Sequence, residues 1–162
     1  MIYIFNLEKT LCDTSHRDHL IDNDRSSNAW RDFFLAGAND GEIKEGCAKL
    51  RQLIDLDVYS SPLKGIVSKP AINKFVFWTS TPVGPNGDYE KIALEWLQVG
   101  FDLDSINWGL YMRSNDDYRG MADVKYDFLN EIQNGNPRQD ILAFEHFKPV
   151  IKMLKASNIT LG

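Results

Sequence analysis

Two runs, IYIFN at residues 2–6 and KFVFW at residues 74–78, constrain the fold more than any other feature of the chain. Each is rich in β-branched and aromatic residues and neither alternates apolar with polar side chains, so both faces of each strand are expected to be buried. Strands covered on both faces belong to parallel sheets, whose long crossovers lay helices above and below. DILAFEHF reads as another buried strand and INWGLYMR as a further candidate. Between them, apolar residues recur at helical spacing from Glu42 to about Ile54, from Tyr89 to Gly100 and over 121–134, followed by KPVIKMLKAS. Strand alternates with helix, which predicts an α/β fold: a three-layer, Rossmann-like parallel sheet flanked by helices. Such sheets bind ligands at the carboxyl ends of their strands. Asn6-Leu7-Glu8, Thr79-Ser80-Thr81 and Glu145-His146 fall there.

The 162 residues suit one domain with a core of its own. Residues 14–41 are polar and turn-rich, but Trp30, Phe33 and Phe34 are spaced for one short helix, which predicts a small cap or lid. Residues 55–74 hold two prolines and a glycine and read as an irregular insertion. A formal charge of −5 disfavours nonspecific binding along a phosphate backbone, though a local basic patch survives such an average. Cys12 and Cys47 read as reduced thiols. With no signal-peptide pattern and no membrane-length apolar run, the expected location is the cytoplasm, with no membrane partner.

Three stretches, IYIFNLEKTLCDTSHR, LYMRSNDDYRGMADVKYDFLNEI and ILAFEHFKPVIKMLK, resemble in order and spacing the haloacid dehalogenase-like phosphatase superfamily, covering most of the chain. The likeness is greatest to the phosphatase domains of polynucleotide kinases, phage-encoded relatives included. That family opens on hydrophobic-Asp-x-Asp-Gly-Thr, where the first aspartate attacks phosphorus and the second handles a proton. Here those positions hold Asn6 and Glu8, Lys9 replaces the glycine, and Thr10 is retained. The resemblance implies phosphate-binding roles for Thr79 and Lys125. It places Glu145 and His146 where the family keeps two acids for magnesium.

The substitutions have chemical consequences. A carboxamide is a poor nucleophile that deprotonation cannot activate near neutral pH, so Asn6 removes the acyl-phosphate step. By analogy with loss of the nucleophile in another covalent enzyme, turnover falls about a millionfold. Glu8 keeps acid-base chemistry in type, but its extra methylene displaces the carboxyl group. Asn6, Glu8 and Glu145 with His146 form a weak set for magnesium, so the expected cofactor is none or weakly bound Mg²⁺. The imidazole of His146 suits a transition metal better. His16 and His19 read as polar cap residues, and the four tryptophans as packing, with Trp78 singled out by its place beside Thr79. Arg113 and Arg119 are candidates for bidentate phosphate contact.

The expected function is that of a phage-type pseudoenzyme of phosphatase fold that binds a phosphorylated ligand, a nucleic-acid end or a host protein. The alternative is a metal-dependent phosphohydrolase acting on a nucleotide or polynucleotide phosphate, with Glu8 as proton carrier and water as nucleophile. A third reading places the functional surface away from the cleft, on the cap or on residues 55–74.

Overall fold

The structure, a computed structural model, describes residues 1–59 and 73–162. Its centre is a five-stranded parallel sheet built from β1 (Ile2–Asn6), β4 (Lys74–Pro82), β5 (Asn107–Arg113), β6 (Ile141–Phe144) and β7 (Thr160–Leu161). A separate two-stranded antiparallel pair, β2 (Cys12–Asp13) and β3 (Gly41–Glu42), ties together the two ends of the segment that carries α1 (Ser27–Leu35). The remaining helices are α2 (Lys44–Tyr59), α3 (Asp88–Gly100), α4 (Met121–Gly135) and α5 (Lys148–Ala156). This is the α/β, Rossmann-like sheet that the sequence predicts.

Strand order is β5-β4-β1-β6-β7. The chain therefore builds outward from β1 to β4 and β5, then returns through α4 to the other side of β1. Such a reversal opens a crevice at the carboxyl ends of the central strands. Asn6 closes β1 and Glu145 directly follows β6, so the reversal sets these two side by side.

Residue alternation divides the core. Phe5, Phe75 and Phe77 point to one face, where Cys47, Leu50 and Ile54 of α2 and Leu97 of α3 cover them. Ile2, Ile4, Val76 and Trp78 point to the other, under Leu129 and Ile132 of α4 and Val150 and Leu154 of α5. The apolar spacing that predicts these helices marks the residues they bury.

Three expectations need correction. The helix after Glu42 runs to Tyr59, five residues into the predicted insertion, because buried Asp57 continues its inward face and accepts a hydrogen bond from Asn73 Nδ2 at 2.9 Å. Residues 60–72 of that insertion lie outside the described residues, and Lys74, its last residue, belongs to β4. Finally, β6 stops at Phe144 instead of running through DILAFEHF. Glu145 Oε1 accepts from the backbone N–H groups of His146 and Phe147 at 2.9 and 3.1 Å, which turns the chain toward α5.

Candidate functional site

The loop after β1 is held by its own backbone. The Leu7 carbonyl accepts from the N–H groups of Leu11 and Cys12, both at 2.9 Å, and Lys9 sits at φ +64°, the left-handed conformation that favours glycine. Lys9 Nζ reaches Asp18 at 2.6 Å, tying this turn to the cap segment. On the other side, Gly46 of α2 packs so closely that a Cβ there would fall 1.9 Å from the Thr10 carbonyl oxygen. Thr10 Oγ1 is buried without a hydrogen-bond partner among the described residues.

Of the residues singled out by sequence, Asn6, Lys125 and Glu145 meet on the α4 face of the sheet. Lys125 is fully buried, and its Nζ donates to Asn6 Oδ1 at 2.8 Å and to Glu145 Oε2 at 2.9 Å. Trp78, also fully buried, donates its indole N–H to the same Glu145 oxygen at 3.0 Å. Glu145 thus accepts four hydrogen bonds, two on each oxygen, with its side chain shielded from water. Burial pulls the Lys125 pKa below the ordinary lysine value, and the charge of Glu145 opposes that shift. A buried ion pair of this kind persists only where further hydrogen bonds satisfy both partners, as they do here.

Glu8 and Thr79 meet on the opposite face. The Thr79 hydroxyl lies 2.7 Å from both Glu8 carboxylate oxygens, and Thr81 Oγ1 donates to Oε1 at 2.8 Å. Thr81 N–H in turn donates to Thr79 Oγ1 at 3.0 Å. Asn6 joins the two networks, since its Nδ2 donates to the Glu8 carbonyl at 2.6 Å. His146 is not part of either: its exposed ring packs edge-on against Phe147 at 5.8 Å, and only its backbone touches Glu145. Cys12 lies near Glu8, but burial pushes its thiol well up, with Glu8 and Asp40 adding to the shift, so it is not a thiolate nucleophile.

Above Glu8 opens a cleft of about 780 Å³, walled by α1 on one side and by the loop after β5 on the other. Trp30, Phe33 and Phe34 of α1 pack on one another, and Phe34 reaches Tyr89 of α3 at 5.0 Å between ring centres. The cap is anchored by Arg17, whose Nε and Nη2 grip the Asp40 carboxylate at 2.7 and 2.6 Å with both side chains buried. His16 adds a contact to Asp40 at 2.8 Å. Opposite, Arg113 donates to the backbone carbonyls of Ser80, Asp117 and Arg119, and Asn115 exchanges two hydrogen bonds with Gly84. Arg119 holds the Asp117 carboxyl down at about 2.

Strand-end positions in the sequence indicated Asn6, Glu8, Thr79 and Glu145, and the family resemblance implied Lys125. Neither indicated that Trp78 and Thr81 complete the networks, although Trp78 directly precedes Thr79 and Thr81 follows it by two residues. Arg17 ends the first of the three resembling stretches without a role assigned to it and Asp40 lies outside them, so their partnership was not legible before the fold brought them together.

No family model matches the chain, and no curated protein does. Among solved structures, a chain of the Pnkp1/Rnl/Hen1 RNA repair complex is similar in fold, with a TM-score of 0.61 and 14% identity. The alignment covers 99% of this chain and 41% of that one. At that identity the likeness speaks for the fold alone.

Proposed function

We propose that this chain is a haloacid dehalogenase-like phosphatase fold that has given up phosphoryl transfer and keeps its cleft for binding a phosphorylated ligand, a nucleotide or nucleic acid in particular. The observation that carries this reading is the hydrogen bond from buried Lys125 to the Asn6 carboxamide. Where the resembled family places an attacking carboxylate, this chain holds a neutral amide whose oxygen and nitrogen are both engaged.

The chemistry of the donor set supports the same view. A lysine that binds phosphate needs N–H bonds aimed at the ligand, whereas Lys125 is fully buried and spends two of its three on protein oxygens. Magnesium needs converging hard oxygen ligands, yet Asn6 Oδ1 and Glu145 Oε2 converge on an ammonium group that already supplies the positive charge. The residues present therefore do not fit magnesium. Glu8, the remaining acid, is held by two threonine hydroxyls. Nucleic acid enters as the ligand class through the similar chain of an RNA repair complex and through the arginines around the cleft.

The test is phosphate release from nucleoside monophosphates and from 3′- and 5′-phosphorylated DNA and RNA, with magnesium, manganese or zinc supplied in turn. No release above the buffer rate is expected. Turnover by pure protein that disappears in Glu8→Ala would overturn the proposal in favour of a water-using phosphohydrolase.

A further inference from the structure

We infer that the cleft takes a single-stranded polynucleotide along its rim, through internal phosphodiesters and bases, with no need for a terminal phosphate. This rests on the reading of the cleft as a nucleic-acid site and specifies how that site is used. Two observations carry it, one at the floor and one at the rim.

The floor is unsuited to a phosphate dianion. Its carboxylate is Glu8, which already holds the Thr81 hydroxyl that lines the cleft and the buried Thr79 hydroxyl behind it, while the neighbouring Lys9 ammonium is engaged by Asp18 at 2.6 Å. Lys125, the cation beneath, has no exposed surface. A terminal phosphate driven to the bottom of the cleft would meet like charge without a compensating donor.

The rim has the opposite character. Arg25 lines it with no carboxylate partner among the described residues, and Arg31 has only a long 3.4 Å contact to Asp32, with both side chains 57% exposed, whereas Arg113 is committed to backbone carbonyls and Arg119 to Asp117 and Asp127. Aromatic side chains line the same cleft. Tyr118 is 91% exposed at the tip of the loop after β5, and across the cleft the Arg25 guanidinium lies 5.5 Å above the Trp30 ring. Guanidinium groups interleaved with aromatic faces suit an unpaired strand, whose phosphates and base faces are both accessible. A duplex hides its base faces in the stack, and a net charge of −5 opposes the broad phosphate contact a duplex would require. Both walls are braced, by Arg17 with Asp40 on the cap side and by Asn115 with Gly84 on the other, so the platform is formed before the strand arrives.

The experiment is fluorescence anisotropy with an internally labelled oligonucleotide of about ten residues. It is presented with a 3′-hydroxyl, with a 3′-phosphate, with a 5′-phosphate and as a closed circle, and competed with polyuridylate, duplex or polyglutamate. All four forms are expected to bind within about twofold of one another, as end-independent contacts require. Tyr118→Ala is expected to weaken binding about tenfold and Tyr118→Phe to restore it, since the stacking surface, not the hydroxyl, makes the contact. With Arg25 and Arg31 on phosphates, affinity should fall about sevenfold between 50 and 200 mM salt. A phosphate-ended form binding more than about tenfold tighter than the circle would overturn the inference. So would the absence of strand binding, or competition by polyglutamate or duplex equal to that by polyuridylate. Release of phosphate with all four affinities equal would instead overturn catalytic silence and leave rim binding standing.

Discussion

Replacing Lys125 by Met removes an ammonium group whose two carboxylate and amide partners lie 2.9 and 2.8 Å away in a fully buried site. Glu145 would keep the Trp78 indole and two backbone N–H groups, but no countercharge within hydrogen-bonding distance. Breaking a buried pair from one side costs about 3–5 kcal/mol, and the three remaining donors place this variant at the lower end, about 3 kcal/mol. Glu145→Gln strands the lysine instead and turns an amide N–H₂ toward donors on one side or the other, for about the same cost. The double variant buries no charge and should also lose about 3 kcal/mol, not 6, which gives a coupling near 3 kcal/mol. For a chain of 162 residues the unfolding entropy is roughly 0.34 kcal/mol/K, so each single variant should melt about 9 °C lower. Urea unfolding followed by tryptophan fluorescence, at constant m-value, measures all four corners of the cycle. Additivity within about 0.5 kcal/mol, or single losses below about 1 kcal/mol, would refute the claim that this pair organises the site.

Gly46→Ala should destabilise by about 3 kcal/mol, because the new Cβ meets a backbone oxygen that no rotamer change can move; an unchanged melting temperature would show that α2 shifts freely. Asn6→Asp exchanges the Nδ2 donor for an oxygen facing the Glu8 carbonyl at 2.6 Å. It should cost about 2 kcal/mol by calorimetry and remain silent in phosphate release, and a variant as stable as the parent would contradict the proposed geometry. Burial pushes the Cys47 thiol up from 9.0 to about 11, so its contribution to stability is complete below pH 9 and is lost as pH rises toward 11. Cys47→Ala should therefore flatten the alkaline decline in chemical-denaturation stability over that window, and an unaltered slope would exclude this thiol as a contributor.

The sheet was legible because its central strands are apolar on both faces, a pattern that follows directly from burial under two helical layers. The pair of β2 with β3 and the edge strand β7 were not, since each strand is two residues long and is defined by its partner, not by its own composition. At the site, sequence placed Asn6, Glu8, Thr79 and Glu145 at strand ends, and the resemblance added Lys125. Both left open the closure of the network, because Lys125 meets Asn6 across 119 positions and Thr79 meets Glu8 across 71. Lys9 is instructive in another way. It stands where the resembled motif carries glycine, and it adopts the left-handed conformation that favours glycine.

The four hydrogen bonds on Glu145 also bear on what mutation can do to this pocket over time. A carboxylate so thoroughly engaged makes its neighbours mutually dependent, and any lone change toward an acid at position 6 or a vacant oxygen at position 145 passes through a less stable intermediate. Under the function proposed above, drift toward a reactive centre would have to alter several side chains together. The arrangement behaves as a ratchet, easy to keep and hard to reverse one codon at a time.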